Sequence, residues 1–178
     1  MISSPKISDS VFDKSIIIIC EHDANDTMGF IFNKPLINVS LETIWTNIGY
    51  EKKNPFFTNE EVCIGGPLAS NAMFVIHSSE YFIDKKTIKV CEEISVTGTK
   101  EITDDIQKGQ GPRKAIFLLG YSGWVPGQLE DEIMRDSWFV SDKFQNLIFS
   151  VDYQTKWTDA LLLIGIDPSK LSSYAGSS

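Results

Sequence analysis

Ser122 lies at the centre of Gly120-Tyr121-Ser122-Gly123-Trp124, between an apolar run and the acidic stretch Gln128-Leu129-Glu130-Asp131-Glu132. A serine in such a strand-to-helix turn has the outline of a nucleophile elbow, and its chemistry would be acyl transfer through the hydroxyl. Trp124 stands where the elbow requires a small residue, and both histidines, His22 and His77, precede the serine, the reverse of the α/β-hydrolase order. A glycine-rich packing turn anchored by Tyr121 and Trp124 fits the residues better. Cys20-Glu21-His22 suggests metal or thiol chemistry, since in an extended chain Cys20 and His22 share a face. Zinc needs three or four ligands, and neither Cys63 nor His77 stands at a converging spacing. A buried thiol beside a hydrogen-bonded histidine therefore ranks above a ligand pair, and a ligand pair above a redox centre.

Three further groups bear on ligand binding. Asn33-Lys34-Pro35 sets an amide and an ammonium beside a rigid turn and can orient an anion. From spacing alone, simple strand termination, with Asn33 bonding local backbone and Lys34 in solvent, is favoured. Gly65-Gly66-Pro67 allows close backbone approach to a phosphate, yet it lacks the lysine and serine or threonine of a P-loop and the dinucleotide fingerprint. Gln128, Glu130 and Glu132 can hold a cation, or simply complement a helix N-terminus. Together these groups predict a cleft in which Asn33 and Lys34 orient an anion and Gly65 and Gly66 supply backbone donors. Tyr121, Trp124 and Gln128 form its wall, with Cys20 and His22 nearby. Its occupant would be a small anionic ligand or a protein partner, with no cofactor and no metal. The alternative is a hydrolase or transferase using Ser122 or Cys20 as nucleophile and His22 as base.

These residues need elements to position them. Ser15–Cys20 and Met28–Asn33 read as a hairpin across a polar loop, ended by Lys34-Pro35. Ser40 caps a short helix carrying Leu41, Ile44, Trp45 and Ile48 on one face, closed by Gly49. Short strands are predicted at Val62–Ile64, Met73–His77, Thr87–Val90, Ile94–Thr97, Lys114–Leu119 and Trp138–Val140. Helices are predicted at Lys100–Lys108, Gly127–Arg135 and around Trp157–Ile164. Met1-Ile2-Ser3 reads as the end of a strand, so an upstream element is expected to be missing. The small polar tail Ser172–Ser178 is expected to be flexible.

A chain of 178 residues with 42% hydrophobic and 22% charged residues suits one mixed α/β (α+β) domain with a core of its own. The net charge of -8, without a basic face, disfavours direct DNA binding. Three dispersed cysteines argue against a disulfide framework and for a reducing, cytoplasmic setting. The isoleucine run is too short to span a bilayer.

In order and spacing, the segment Ser15–His22, Gly29-Phe30-Ile31-Phe32-Asn33-Lys34-Pro35, Gly65-Gly66-Pro67 and Gly120–Glu130 resemble the AlgH/YqgE family of bacterial proteins. The closing Trp157, Gly165-Ile166-Asp167 and Tyr174-Ala175-Gly176 are similar to that family as well. The resemblance implies a bifurcated, largely antiparallel sheet curling into a small barrel surrounded by helices. It also implies a role in transcriptional regulation, through association with alginate control, and no enzyme mechanism. Its turn motif accepts alanine at the position of Ser122.

Overall fold

The computed structural model describes residues 1–47, 49 and 61–171; the positions of Ile48 and of the predicted tail lie outside them. The strands are β1 (Ile2–Ser3), β2 (Ile17–His22), β3 (Thr27–Ile31), β4 (Pro35–Ser40), β5 (Glu61–Ile64), β6 (Leu68–Ser78), β7 (Thr87–Lys89), β8 (Ile94–Thr97), β9 (Ala115–Trp124) and β10 (Trp138–Phe139). The helices are α1 (Leu41–Asn47), α2 (Lys100–Gln107), α3 (Gln128–Met134), α4 (Gln145–Ile148), α5 (Lys156–Leu163) and α6 (Pro168–Leu171). The result is a mixed α/β fold whose sheet nearly closes into a barrel. Among the described residues every strand pair is antiparallel except β5 with β9.

The sheet divides at β9. One edge of β9 pairs with β6. The other edge pairs with β5 through Phe117–Leu119 and then with β3 through Ser122–Trp124. Strand β9 therefore runs straight through Gly120-Tyr121-Ser122-Gly123-Trp124, and only Val125–Gly127 turns into α3. This corrects the strand end expected at Leu119. The reason is local: Gly120 takes φ +75°, the ladder with β6 slips between Leu68 and Met73, and pairing resumes beyond the slip.

That slip also reassigns faces. Ile116 and Leu118 join the main core with Phe30, Phe32 and Ile76, while Phe117 faces a second cluster under α1 and α2. Beyond Gly120 the phase is inverted, so Tyr121 packs on the main core and Trp124 on a third cluster under α3. Helix α5 covers the main core through Ala160 and Leu161. Ile16 belongs to the main core and Ile17 to the third cluster, which explains an isoleucine run in an antiparallel strand: both of its faces are covered. Ser40 caps α1 by accepting the Thr43 N–H at 3.2 Å, as its position predicted. Among the described residues, β4, α4 and α6 escaped the sequence reading. The strand end read at Met1-Ile2-Ser3 is β1, which pairs with β10. Among the described residues no helix is long and apolar enough to cross a membrane.

Candidate functional site

The motif glycines meet where β5 crosses β9. A Cβ on Gly65 would lie 2.2 Å from the Gly120 carbonyl oxygen, and one on Gly66 would lie 2.2 Å from the Tyr121 carbonyl carbon. Only glycine lets these backbones touch. Gly65 donates its N–H to the Leu119 carbonyl at 2.8 Å and accepts from the Ile31 N–H at 2.8 Å. Ser122 is fully buried, and its hydroxyl donates to the same Gly65 carbonyl at 3.2 Å. Its hydroxyl thus ties the two arms of the divided sheet together, and the Gly65 N–H is already committed inside the protein.

Asn33 and Lys34 follow β3. The Asn33 Oδ1 accepts the Ile16 N–H at 2.7 Å, and its Nδ2 donates to the Lys14 carbonyl at 2.9 Å. This nearly buried amide staples the chain before β2 to the end of β3. The Lys34 ammonium donates to the Ser10 carbonyl at 3.0 Å. Burial holds its pKa below the ordinary lysine value, while the nearby charges of Asp13 and Asp9 pull it back up.

Trp124 and Gln128 come together through Glu132 of α3. The Trp124 and Trp138 indoles both donate to Glu132 Oε2, at 3.0 and 2.7 Å, and Gln128 Nε2 donates to Oε1 at 2.8 Å. Gln128 Oε1 also accepts the Val125 N–H at 3.1 Å, which closes the turn into α3. Phe12 fills the remaining side, its ring 6.4 Å from that of Trp124 and 5.8 Å from that of Trp138. Tyr121 is not part of this wall. Its ring meets Phe74 edge-on at 6.0 Å on the opposite face, a consequence of the phase inversion at Gly120.

Cys20 and His22 do not share a face either. The β2–β3 ladder slips between Ile19 and Glu21, so Cys20 is the extra residue of a bulge and the strict alternation expected for an extended chain fails there. Cys20 packs on the main core, where burial first and the charge of Glu21 second push its thiol pKa up to about 12. His22 turns the other way. Its Nδ1 lies 2.6 Å from Thr27 Oγ1 and its Nε2 lies 3.5 Å from Glu130 Oε1 on α3, with the imidazole half exposed. A carboxylate beside Nε2 favours the tautomer protonated there, leaving Nδ1 to accept the Thr27 hydroxyl proton. His77 stands at the far end of β9, opposite Ala115, fully buried. Its Nδ1 donates to the Ser78 carbonyl at 3.0 Å, so Nε2 must accept from Thr97 Oγ1 at 2.9 Å. Among the described residues no three His, Cys, Asp or Glu side chains converge as metal ligands.

The AlgH-like family profile matches residues 1–169. The chain belongs to the AlgH-like family. It is similar to a UPF0301 protein of Cereibacter sphaeroides, 37% identical over 99% of this chain and 95% of that protein. A UPF0301 protein of Bradyrhizobium diazoefficiens is likewise 37% identical, over 99% of this chain and 85% of that protein. The fold matches the solution structure of the AlgH protein from Pseudomonas aeruginosa with a TM-score of 0.78, at 24% identity, covering 99% of this chain and 93% of that one. A crystal structure from Corynebacterium diphtheriae, the protein DIP2367, matches with a TM-score of 0.72 at 19% identity, over 99% and 89% of the two chains.

This AlgH-like chain also holds a buried cation that sequence reading missed. Lys156 opens α5 with no exposed surface; its Nζ donates to the Ile148 carbonyl at 2.9 Å and lies 4.2 Å from the centre of the Tyr153 ring and 5.5 Å from that of Phe32. A lysine at the start of a helix carries no signal of burial. Desolvation lowers its pKa to about 8, and burial pushes the neighbouring Cys63 thiol up to about 12. The lowered lysine pKa has a testable sign. Between about 8 and the ordinary lysine value of 10.5 the unfolded chain holds a proton that the folded chain has released, so stability from this group rises with pH across that window. Below about 8 both states are protonated, and the burial penalty is fully present. Urea titrations of wild type and Lys156→Met are therefore expected to show the difference moving in favour of wild type by about 3 kcal/mol from pH 8 to 10.5. A difference that does not change with pH would mean that the ammonium is solvated.

Proposed function

We propose that this AlgH-like protein is a non-catalytic, cytoplasmic binding protein that acts on transcription indirectly, through a ligand or a protein partner. The observation that carries this reading is the placement of the two candidate nucleophiles. Ser122 is sealed in the sheet with its hydroxyl given to a backbone carbonyl, and Cys20 is a buried thiol held far from its thiolate form. Among the described residues neither has the hydrogen-bonded base that nucleophilic catalysis needs. The net charge of -8 supports indirect action, since a phosphate backbone gains nothing from such a surface. A gel-shift titration at physiological salt is expected to show no sequence-selective retention of duplex DNA; tight selective binding would overturn indirect action.

One arrangement favours a second reading, a hydrolase. Thr27, His22 and Glu130 follow one another as hydroxyl, imidazole and carboxylate, the order of a nucleophile, its base and an orienting acid. The two readings part in a single experiment on purified protein assayed with ester substrates. Under the binding reading Ser122→Ala, Thr27→Val and His22→Gln all leave any background turnover unchanged. A wild-type rate lost by 10²-fold or more in folded Thr27→Val and His22→Gln, and kept in Ser122→Ala, would establish the hydrolase.

A further inference from the structure

Away from the motif cluster, the structure holds a cavity of about 310 Å³, open to solvent on one side, between β2, the end of β3, β8 and α4. Its accessible walls are the half-buried Ile18, Ile19 and Val90, backed by the buried Phe32 and Ile94, and the exposed Asp142 and Gln145 stand at its mouth. Protein cores close-pack and leave few voids larger than a water molecule, whereas ligand pockets of about 300 Å³ and more are apolar with a few polar groups at one end. We propose that this cavity is a binding site for a hydrophobic amine, with its hydrocarbon body against the isoleucines and its ammonium at Asp142. Asp142 is the only charged side chain among the described residues lining the cavity, and Lys143, next in sequence, does not line it. The Met1 amine also lines it, but it donates to the Ile17 carbonyl at 2.6 Å and burial lowers its pKa to about 5, so it is uncharged near neutral pH. The net charge of -8 adds an attraction for cations at longer range. An apolar cavity of about 150 Å³ accommodates a benzene ring, so this one takes a body of about six to ten carbons. The proposal is independent of whether the Thr27, His22 and Glu130 arrangement does chemistry, because none of those residues borders the cavity.

The test compares three probes of one chain length and different head charge, hexylammonium, 1-hexanol and hexanoate, titrated into the full chain and followed by amide shifts and calorimetry. Hexylammonium is expected to bind about tenfold or more tightly than hexanoate at low salt, with hexanol between them and the gap closing as salt is added. Asp142→Asn should bring hexylammonium to the level of hexanol without changing hexanol. Val90→Trp, at a half-buried position on the wall, should weaken all three probes. Because a filling variant can fail to fold, the wild-type protein supplies a second readout. The half-buried Cys91 thiol also lines the cavity, so saturating hexylammonium should slow its alkylation by N-ethylmaleimide at least about threefold by simple occlusion. Absence of binding, hexanoate binding as tightly as hexylammonium, an unchanged order in Asp142→Asn, or binding that leaves Cys91 unprotected would each overturn the proposal.

Discussion

Trp124→Ala is expected to destabilise the protein by about 3–5 kcal/mol, the range for deleting a buried aromatic side chain. The indole is only 4% exposed and is held on three sides, by Phe12, by the edge-on ring of Trp138 and by the Glu132 carboxylate. Truncation opens a cavity in the small third cluster, where few neighbours can close in. It also leaves Glu132 with one indole donor fewer. Trp124→Phe separates these effects, since it keeps most of the ring and loses only the hydrogen bond to a charged acceptor, for an expected cost of about 1.5–3 kcal/mol. Urea denaturation followed by far-ultraviolet circular dichroism measures both. A loss below about 1 kcal/mol in Trp124→Ala would show that the third cluster does not stabilise the fold, and that the tryptophan is retained for contact with something outside it.

Gly66→Ala is expected to cost more than about 3 kcal/mol, at or beyond the top of the ordinary range for overpacking. The added methyl would sit 2.2 Å from the Tyr121 carbonyl carbon, 2.3 Å from its oxygen and 2.4 Å from the Ser122 nitrogen. All three are backbone atoms of β9, which is paired on both edges, so no side-chain rotation can relieve the contact. Gly127→Ala is the matched control. Gly127 has φ +78° and nothing within 4 Å of its would-be Cβ, so it pays only the left-handed penalty of about 1–2 kcal/mol. The two variants should therefore differ clearly in urea midpoint. Equal midpoints would mean that β5 and β9 can separate at their crossing without loss, and that the divided sheet is not what Gly66 protects.

Much of the fold was legible from residue order. The hairpin of β2 and β3, the Ser40 cap, α2, α3, α5 and the strands β5, β7 and β8 lie close to where periodicity and punctuation placed them. The segment from Gly120 was misread as a turn because glycines usually mark turns, and here Gly120 marks a kink inside a continuing strand. Of the residues predicted to form one cleft, Trp124 and Gln128 do meet, at Glu132, and the Lys34 carbonyl accepts the N–H of Ile64, the residue before Gly65. Tyr121 and Cys20 turn to the main core instead. Both displacements follow from register slips, one at Gly120 and one at Cys20. A single extra residue in a strand moves every later side chain to the other face.

The sequence by itself determined what local chemistry controls: the family, the apolar alternation that makes strands, the caps and glycines that end or bend them, and a net charge of -8. Those properties are written in nearest neighbours and in composition. Only the tertiary structure decided which polar groups are free. It sealed Ser122 against Gly65, 57 residues away, and gave His22 to Thr27 and Glu130. It buried Lys156 beneath Phe32 and Tyr153, and left a cavity behind β2 with Asp142 at its mouth. Each of these depends on contacts between segments remote in the chain, so no spacing in the sequence encodes them.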